Sequence, residues 1–255
     1  MRVASCQSFC INLAKLDPEM RIRTAIGNGI RAIVGKNLYT RLRIGSRAEH
    51  SFLGKVRGVI HVGANAGQER ELYGAFGLDV IWIEPIPEVF ERLQANISQF
   101  PKQRAFRYLV TDQVGKEHEL HIADNSGASS SIFDFDKHVE MYPHIAYKGS
   151  ITMRGTTLGS ILTFEKVDIQ QYDAVVLDTQ GSELNILNSA EALLPNFRFV
   201  KVEVPDFESY KGCCQIAELS AFMFSQGFRE RSRHPITHAP GIGTYFDVVY
   251  ERNRR

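Results

Sequence analysis

The chain has 255 residues, 44% hydrophobic and 23% charged, a composition that excludes disordered, fibrous and collagen-like classes and fits a globular protein of one large domain or one domain plus an extension. A net charge of +1 argues against nucleic acid as a partner of the whole molecule, and no apolar run approaches the roughly 18 residues that a membrane span requires. The four cysteines (Cys6, Cys10, Cys213, Cys214) form neither paired C-x-x-C motifs nor a disulfide framework, and the start MRVASCQSFCINLAK is too polar for a signal peptide, so reduced thiols and a cytoplasmic location are expected.

Charge is unevenly distributed. Residues 1–57 hold eleven Lys/Arg against Asp17, Glu19 and Glu49, a net of +8, which leaves −7 for residues 58–255. The expected organisation is a basic helical extension, 1–57, followed by an α/β domain, 58–255. Within the extension, Asp17 to Val34 has Ile22, Ile26, Ile30 and Ile33 at helical spacing among Arg21, Arg23 and Arg31. Such an amphipathic helix packs on the domain, meets another subunit or touches a membrane surface.

From Gly58 strands and helices alternate. Val59 to Val62 is a short apolar run that meets the turn Gly63-Ala64-Asn65-Ala66-Gly67; a helical segment follows, then a second apolar run ending in Glu84-Pro85. Pro87 to Phe100 has the spacing of a crossover helix, and Ala105 to Val110 reads as a third strand closing at Thr111-Asp112. Glu117 to Ala123 alternates like an exposed antiparallel strand, Asn125 to Ser131 is a polar loop, and Ser150 to Leu158 suggests a partner strand. The rhythm returns with a buried strand at Asp173 to Leu177 ending in Asp178, a helix carrying Leu184, Leu187 and Leu194, a strand at Phe197 to Val204 containing Glu203, and a helix at Gln215 to Gln226. Phe228 to Arg231 and Thr244 to Glu251, joined by a Pro/Gly-rich loop, suggest a terminal hairpin. This is the pattern of a doubly wound, mostly parallel sheet with a C-terminal antiparallel hairpin.

Glycines at 63 and 67 allow a strand to turn directly into a helix and leave bare backbone N–H groups where a polar ligand can approach. Glu84 lies 21 residues beyond Gly63, where nucleotide-binding sheets place an acid for ribose hydroxyls. The loop reads G-x-N-x-G rather than the G-x-G-x-x-G that seats a pyrophosphate. Asn65 suits an amino-acid moiety better than a diphosphate, which points to S-adenosylmethionine; an NAD(P)-dependent oxidoreductase is the alternative. Ligands in such sheets lie outside the carboxyl ends of the strands, which would collect Glu84, Asp112, Asp178 and Glu203 at one edge.

VGANAG, IEPIPEVFERLQANI, the serine block GASSS, Thr157-Leu158 before Ile161-Leu162, and VVLDTQGSELNIL followed by VKVEV together resemble the FkbM-family methyltransferases over roughly Val59 to Glu251. The resemblance implies a Rossmann-like class I methyltransferase fold and transfer of a methyl group from S-adenosylmethionine to a hydroxyl of a small molecule or glycan. It assigns Gly63, Asn65 and Gly67 to the methionine part of the cofactor, Glu84 to the ribose, Asp112 to the neighbourhood of the adenine, and Ser130, in the serine block, to cofactor or acceptor. The family usually has acids where this chain has His61 and Gln180, so a non-catalytic protein that keeps the fold is a further alternative. Candidate bases for the acceptor proton are Asp178, His138 and His144. Nothing in the sequence has metal-ligand spacing, and a monomer or small homo-oligomer is expected.

Overall fold

The computed structural model describes residues 40–41 and 48–252, so the basic helix expected at Asp17 to Val34 lies outside the described residues. Chain order from Gly58 is β1 (Gly58–Val62), α1 (Arg70–Phe76), β2 (Asp79–Ile83), α2 (Pro87–Ile97), β3 (Gln103–Phe106), β4 (Leu109–Val110), β5 (Glu117–Ala123), α3 (His138–Met141), β6 (Tyr147–Thr156), α4 (Leu158–Phe164), β7 (Ala174–Leu177), α5 (Glu183–Ser189), β8 (Phe199–Pro205), α6 (Ile216–Ser225), β9 (Phe228–Ala239) and β10 (Gly243–Arg252). Seven strands form one sheet in the order β3-β2-β1-β7-β8-β10-β9. The first five are parallel, whereas β10 runs antiparallel to β8 and to β9. A second sheet, β4-β6-β5, stands apart from it.

Alternation along the strands explains the two covered faces. Ile60, Val62, Ile81, Ile83, Val175, Leu177, Val200 and Val202 enter one core with residues of α4, α5 and α6. Val59, Val80, Trp82, Ala174, Val176 and Phe199 enter the other with α1, α2 and the preceding Phe52 and Leu53. Successive side chains of a strand point to opposite faces, so strands buried on both sides read as continuous apolar runs. In α2, Pro87 sits in the first turn, where its missing N–H costs nothing, and Val89, Leu93 and Ile97 repeat every fourth residue on the buried face.

Three expectations are corrected. The run Ala105 to Val110 is not one strand: Phe106 ends β3 in the large sheet, and Leu109–Val110 pair with Gly155 and Thr156 in the small one. The helix expected to reach Leu194 ends at Ser189, and a 3-10 segment, Glu191–Asn196, ending beside Pro195, replaces its last turns. The terminal hairpin is much longer than expected, with β9 extending through Pro235 to Ala239. As an edge strand β9 needs only one row of backbone partners, so Pro235 and a largely polar sequence are tolerated. Its register against β10 shifts at two places, one of them between Tyr245 and Phe246, which leaves Ile236 unpaired in a bulge.

Candidate active site

At the carboxyl ends of β1, β2 and β7 the chain forms a cavity lined by the glycine turn, Glu84, Ile86, the Tyr108–Val110 segment, Gly127, Ser130 and the Asp178–Gln180 turn. Gly63 has φ 79°, and a Cβ there would stand 1.8 Å from the carbonyl oxygen of Asp178, so close passage of β1 past β7 requires glycine. Gly63 and Ala64 both donate N–H bonds to the Ile83 carbonyl (3.0 and 3.1 Å), tying the turn to β2. Gly67 is left-handed too, but it packs over Leu93 of α2 and does not line the cavity.

Glu84 is buried and holds the turn in shape. One carboxylate oxygen accepts the Asn65 N–H and the other the Ile86 N–H, each at 2.9 Å. Burial pushes its carboxyl up to about 7 against the opposing pull of those two bonds. Each oxygen keeps a further lone pair for ligand hydroxyls. Asn65 lies in the left-handed region, its side-chain oxygen accepting the Ala66 N–H at 2.7 Å. Ser130 lines the cavity while its hydroxyl accepts the Ala123 N–H at 3.0 Å. Polar groups (Asn65, Gln68, Glu84, Asp178) thus share the cavity with an apolar set (Ile86, Leu109, Val110, Leu120, Ile132), a donor set and shape that suit an amino acid joined to a nucleoside.

Asp112 is exposed and outside this lining. Once the chain leaves the large sheet after Phe106, its next strand ends at Val110 under the control of β6, and Asp112 enters the following turn.

Behind Asp178 lies a second cavity lined by Asn125, Ala128, Ser129, His138, Tyr142, Ile145, Asp178, Gln180, Glu203, Ile236 and Tyr245. Gln180, itself in the left-handed region, donates its amide to Asp178 at 2.6 Å and to Glu203 at 3.4 Å. Its amide oxygen accepts the Tyr210 hydroxyl at 2.6 Å, and its backbone carbonyl accepts the Ser131 hydroxyl at 2.7 Å, so the amide is locked with its donors toward the acids. Burial holds Asp178 and Glu203 above the ordinary carboxylate range, helped by repulsion from Glu183 and Asp247 on both and from Asp178 on Glu203. Glu183 supports the turn beneath, accepting the Thr179 and Gly181 N–H groups.

His138 is buried, stacks on Phe135 and bonds the Tyr245 hydroxyl through Nδ1 at 2.8 Å. Burial pushes it down to about 4, which keeps the ring neutral near pH 7. His144 is exposed, edge-on to Tyr142, and lines neither cavity. His61 stacks on Trp82, meets the Tyr73 hydroxyl at 3.2 Å and is pushed down to about 3 by burial, the behaviour of a neutral core histidine that also borders the first cavity. Tyr142, Tyr245 and Ile236 escaped sequence reasoning. They reach the second cavity through tertiary folding, and only the break of pattern at Pro235 hints at a bulge there.

Among the described residues no group of three or more His, Cys, Asp or Glu could hold a metal ion, and no helix is long and apolar enough to cross a membrane.

A doubly wound sheet with an antiparallel last pair, a glycine turn braced by a buried acid, and a cavity at the strand ends define an S-adenosylmethionine-dependent methyltransferase of the Rossmann-like class. Residues 61–230 match the family described as the methyltransferase FkbM domain, and the chain belongs to that family. Over 162 residues it is 23% identical to the 2-O-methyltransferase NoeI of Sinorhizobium fredii (strain NBRC 101917 / NGR234); the match covers 60% of this chain, which spans 65% of that relative. Among solved structures, the METTL16 methyltransferase domain is similar at a TM-score of 0.46 and 12% identity, covering 94% of this chain and 71% of that one. The Burkholderia thailandensis 1,6-didemethyltoxoflavin-N1-methyltransferase, with 1,6-didemethyltoxoflavin and S-adenosylhomocysteine bound, is similar at 0.42 and 12%, covering 94% and 93%. Membership of a methyltransferase family sets aside the oxidoreductase alternative.

Proposed function

We propose that the protein O-methylates a hydroxyl of a small molecule or glycan, with the cofactor in the first cavity, the acceptor in the second and Asp178 as general base. The observation that carries this is that Asp178 lines both cavities. S-adenosylmethionine, held at the first cavity, would supply an activated methyl group, the new carbon–oxygen bond replacing its carbon–sulfur bond with S-adenosylhomocysteine as the leaving group, and Asp178 would take the hydroxyl proton. The chain itself binds, orients and excludes water, which is most of what an already activated methyl group needs. Glu84 and the backbone of Gly63 to Asn65 hold the nucleoside and amino-acid parts. Gln180 fixes the orientation of Asp178, and a carboxyl held above the ordinary range is a better base for a hydroxyl than a free aspartate. His138 lines the same cavity as Asp178.

The similarity to a 2-O-methyltransferase supports transfer to oxygen. Buried, unpaired cysteines at 213 and 214 accord with a reducing compartment, and we place the enzyme in the cytoplasm on that ground. The test is transfer of labelled methyl groups to a panel of sugars, cyclitols and other alcohols. Asp178→Asn is expected to lower turnover by about 10²–10⁴-fold while S-adenosylhomocysteine still binds. Full turnover in that variant would refute the role given to Asp178.

A further inference from the structure

The second cavity has a charge problem that its own residues leave unsolved. Asp178 and Glu203 share it, joined only by the Gln180 amide at 2.6 and 3.4 Å. Among the described residues neither carboxylate has a lysine or arginine partner. Lys201, which borders an adjoining hollow with both acids, is paired with Asp247 at 2.9 Å. The other titratable groups around the pair add no cation: Glu183, Glu69 and Asp247 are acids, Tyr210 and Tyr245 are phenols held protonated, His61 and His138 are neutral, and His50, in the adjoining hollow, is pushed down by burial and by Lys201. Buried carboxylates without a partner are costly, and the cost is relieved by protonation or by a cation. The sulfonium of a bound cofactor carries one positive charge, against two potential negative ones.

A second, independent feature points to a ligand. His138 lines this cavity, is 2% exposed, and leaves Nε2 buried without a hydrogen-bond partner among the described residues, although Nδ1 is satisfied by Tyr245. A buried polar atom of this kind is matched when a hydroxyl arrives. Tyr142 and Tyr245 line the same cavity with aromatic surface, which suits a saturated ring or a cation.

We propose that the acceptor is an amino alcohol, with a cationic nitrogen held at Glu203 beside the hydroxyl that Asp178 deprotonates and a further hydroxyl at His138. The amino sugars and aminocyclitols have this chemistry. The inference rests on the placing of the acceptor in the second cavity, and it goes beyond that placing by fixing the acceptor's charge. It also implies that binding releases protons near neutral pH: an ammonium beside the pair favours both carboxylates in their charged form.

The experiment is calorimetric titration, at pH 7, of the full chain saturated with S-adenosylhomocysteine. The probes are methyl α-D-glucosaminide, 2-deoxystreptamine and ethanolamine, with methyl α-D-glucoside, an inositol and ethylene glycol as their neutral counterparts. At least one amine is expected to bind about tenfold or more tightly than its counterpart, as a charge-assisted hydrogen bond allows. Repeating the titration in buffers of different ionisation heat is expected to show proton release, a readout that needs no variant. Glu203→Gln is expected to abolish the preference, with S-adenosylhomocysteine binding as the check that it is folded. If the protein binds S-adenosylhomocysteine and no amine binds more tightly than its counterpart, the inference is overturned. Failure of the enzymatic reading is separate: it would appear as no transfer of label to any hydroxyl, whichever probes bind.

Discussion

Replacing Gly63 with alanine tests the close passage on which the site is built. A Cβ at residue 63 would stand 1.8 Å from the Asp178 carbonyl oxygen and 2.6 Å from its carbon, both backbone atoms that no rotamer change can move aside. The left-handed conformation, φ 79°, costs a non-glycine residue about 1 kcal/mol. Relief of the contact requires β1 and β7 to part, at the expense of the Asp178 N–H bond to Val62 (3.0 Å) and one of the Gly63 and Ala64 bonds to Ile83, each worth about 1 kcal/mol. The sum is about 3 kcal/mol, or about 6–12 °C in Tm for a domain of this size. Gly77→Ala is the control: Gly77 is equally left-handed, φ 71°, but a Cβ there meets nothing within 4 Å, so it should cost only about 1 kcal/mol and 2–4 °C. Thermal unfolding followed by circular dichroism, with calorimetric S-adenosylhomocysteine binding beside it, separates the two. Equal melting shifts in the two variants, with cofactor affinity unchanged in Gly63→Ala, would refute the reasoning.

Other consequences can be checked alongside. Glu84→Ala strands the Asn65 and Ile86 N–H groups and is expected to weaken S-adenosylhomocysteine binding by about 10–100-fold in calorimetry. Because Glu84 has a folded value of about 7 above its ordinary 4.5, the folded state binds more protons than the unfolded one between those values, and stability falls as pH rises through that window. The contribution is about 3 kcal/mol at most, and urea unfolding at pH 4.5 and pH 7.5 should show a smaller loss in Glu84→Gln than in the wild type. Tyr210→Phe removes the hydroxyl that holds the Gln180 amide oxygen, so the amide is free to turn that oxygen toward Asp178 and Glu203; turnover should fall about tenfold or more with cofactor affinity little changed, read from kcat and calorimetry. Trp82→Ala opens a hole in a fully buried stack with His61 and Tyr73 and is expected to cost about 3–5 kcal/mol in denaturant unfolding.

The parts legible in the sequence are those whose cause is local. β1, β2 and β7 are apolar on both faces apart from His61, β8 sets Val200, Val202 and Val204 on one face against Lys201 and Glu203 on the other, and all four are bounded by turn residues, so their runs stand out, and Glu84 follows from its distance to Gly63. The split between β3 and β4 was not legible, because the residues around it (Ala105, Phe106, Leu109, Val110) suit a strand in either sheet and only pairing with β6 decides. The length of β9 is not legible, because Arg231, Arg233, His234 and Pro235 carry no strand pattern; an exposed edge takes its order from β10 instead. The place of Asp178 at the tip of β7 is legible, but its partnership with Glu203 through Gln180 depends on a left-handed glutamine, and nothing in composition announces that conformation.

The small β4-β6-β5 sheet and the segment beside it have a bearing on how such an enzyme could change its target. Asn125, Ala128, Ser129, His138, Tyr142 and Ile145 all come from the stretch between β5 and β6, whereas Gly63, Asn65 and Glu84 belong to the first two strand–helix units of the large sheet. The wall of one cavity can therefore be rewritten by exchanging a single contiguous stretch of about 20 residues, a length that surface insertions tolerate at little thermodynamic cost. The glycine turn and its bracing acid would stay in place. Selection, or a chimera made in the laboratory, has here a cassette through which the wall of the second cavity can drift, provided that Gly127, Ser130 and Ile132, which the same stretch gives to the first cavity, are kept.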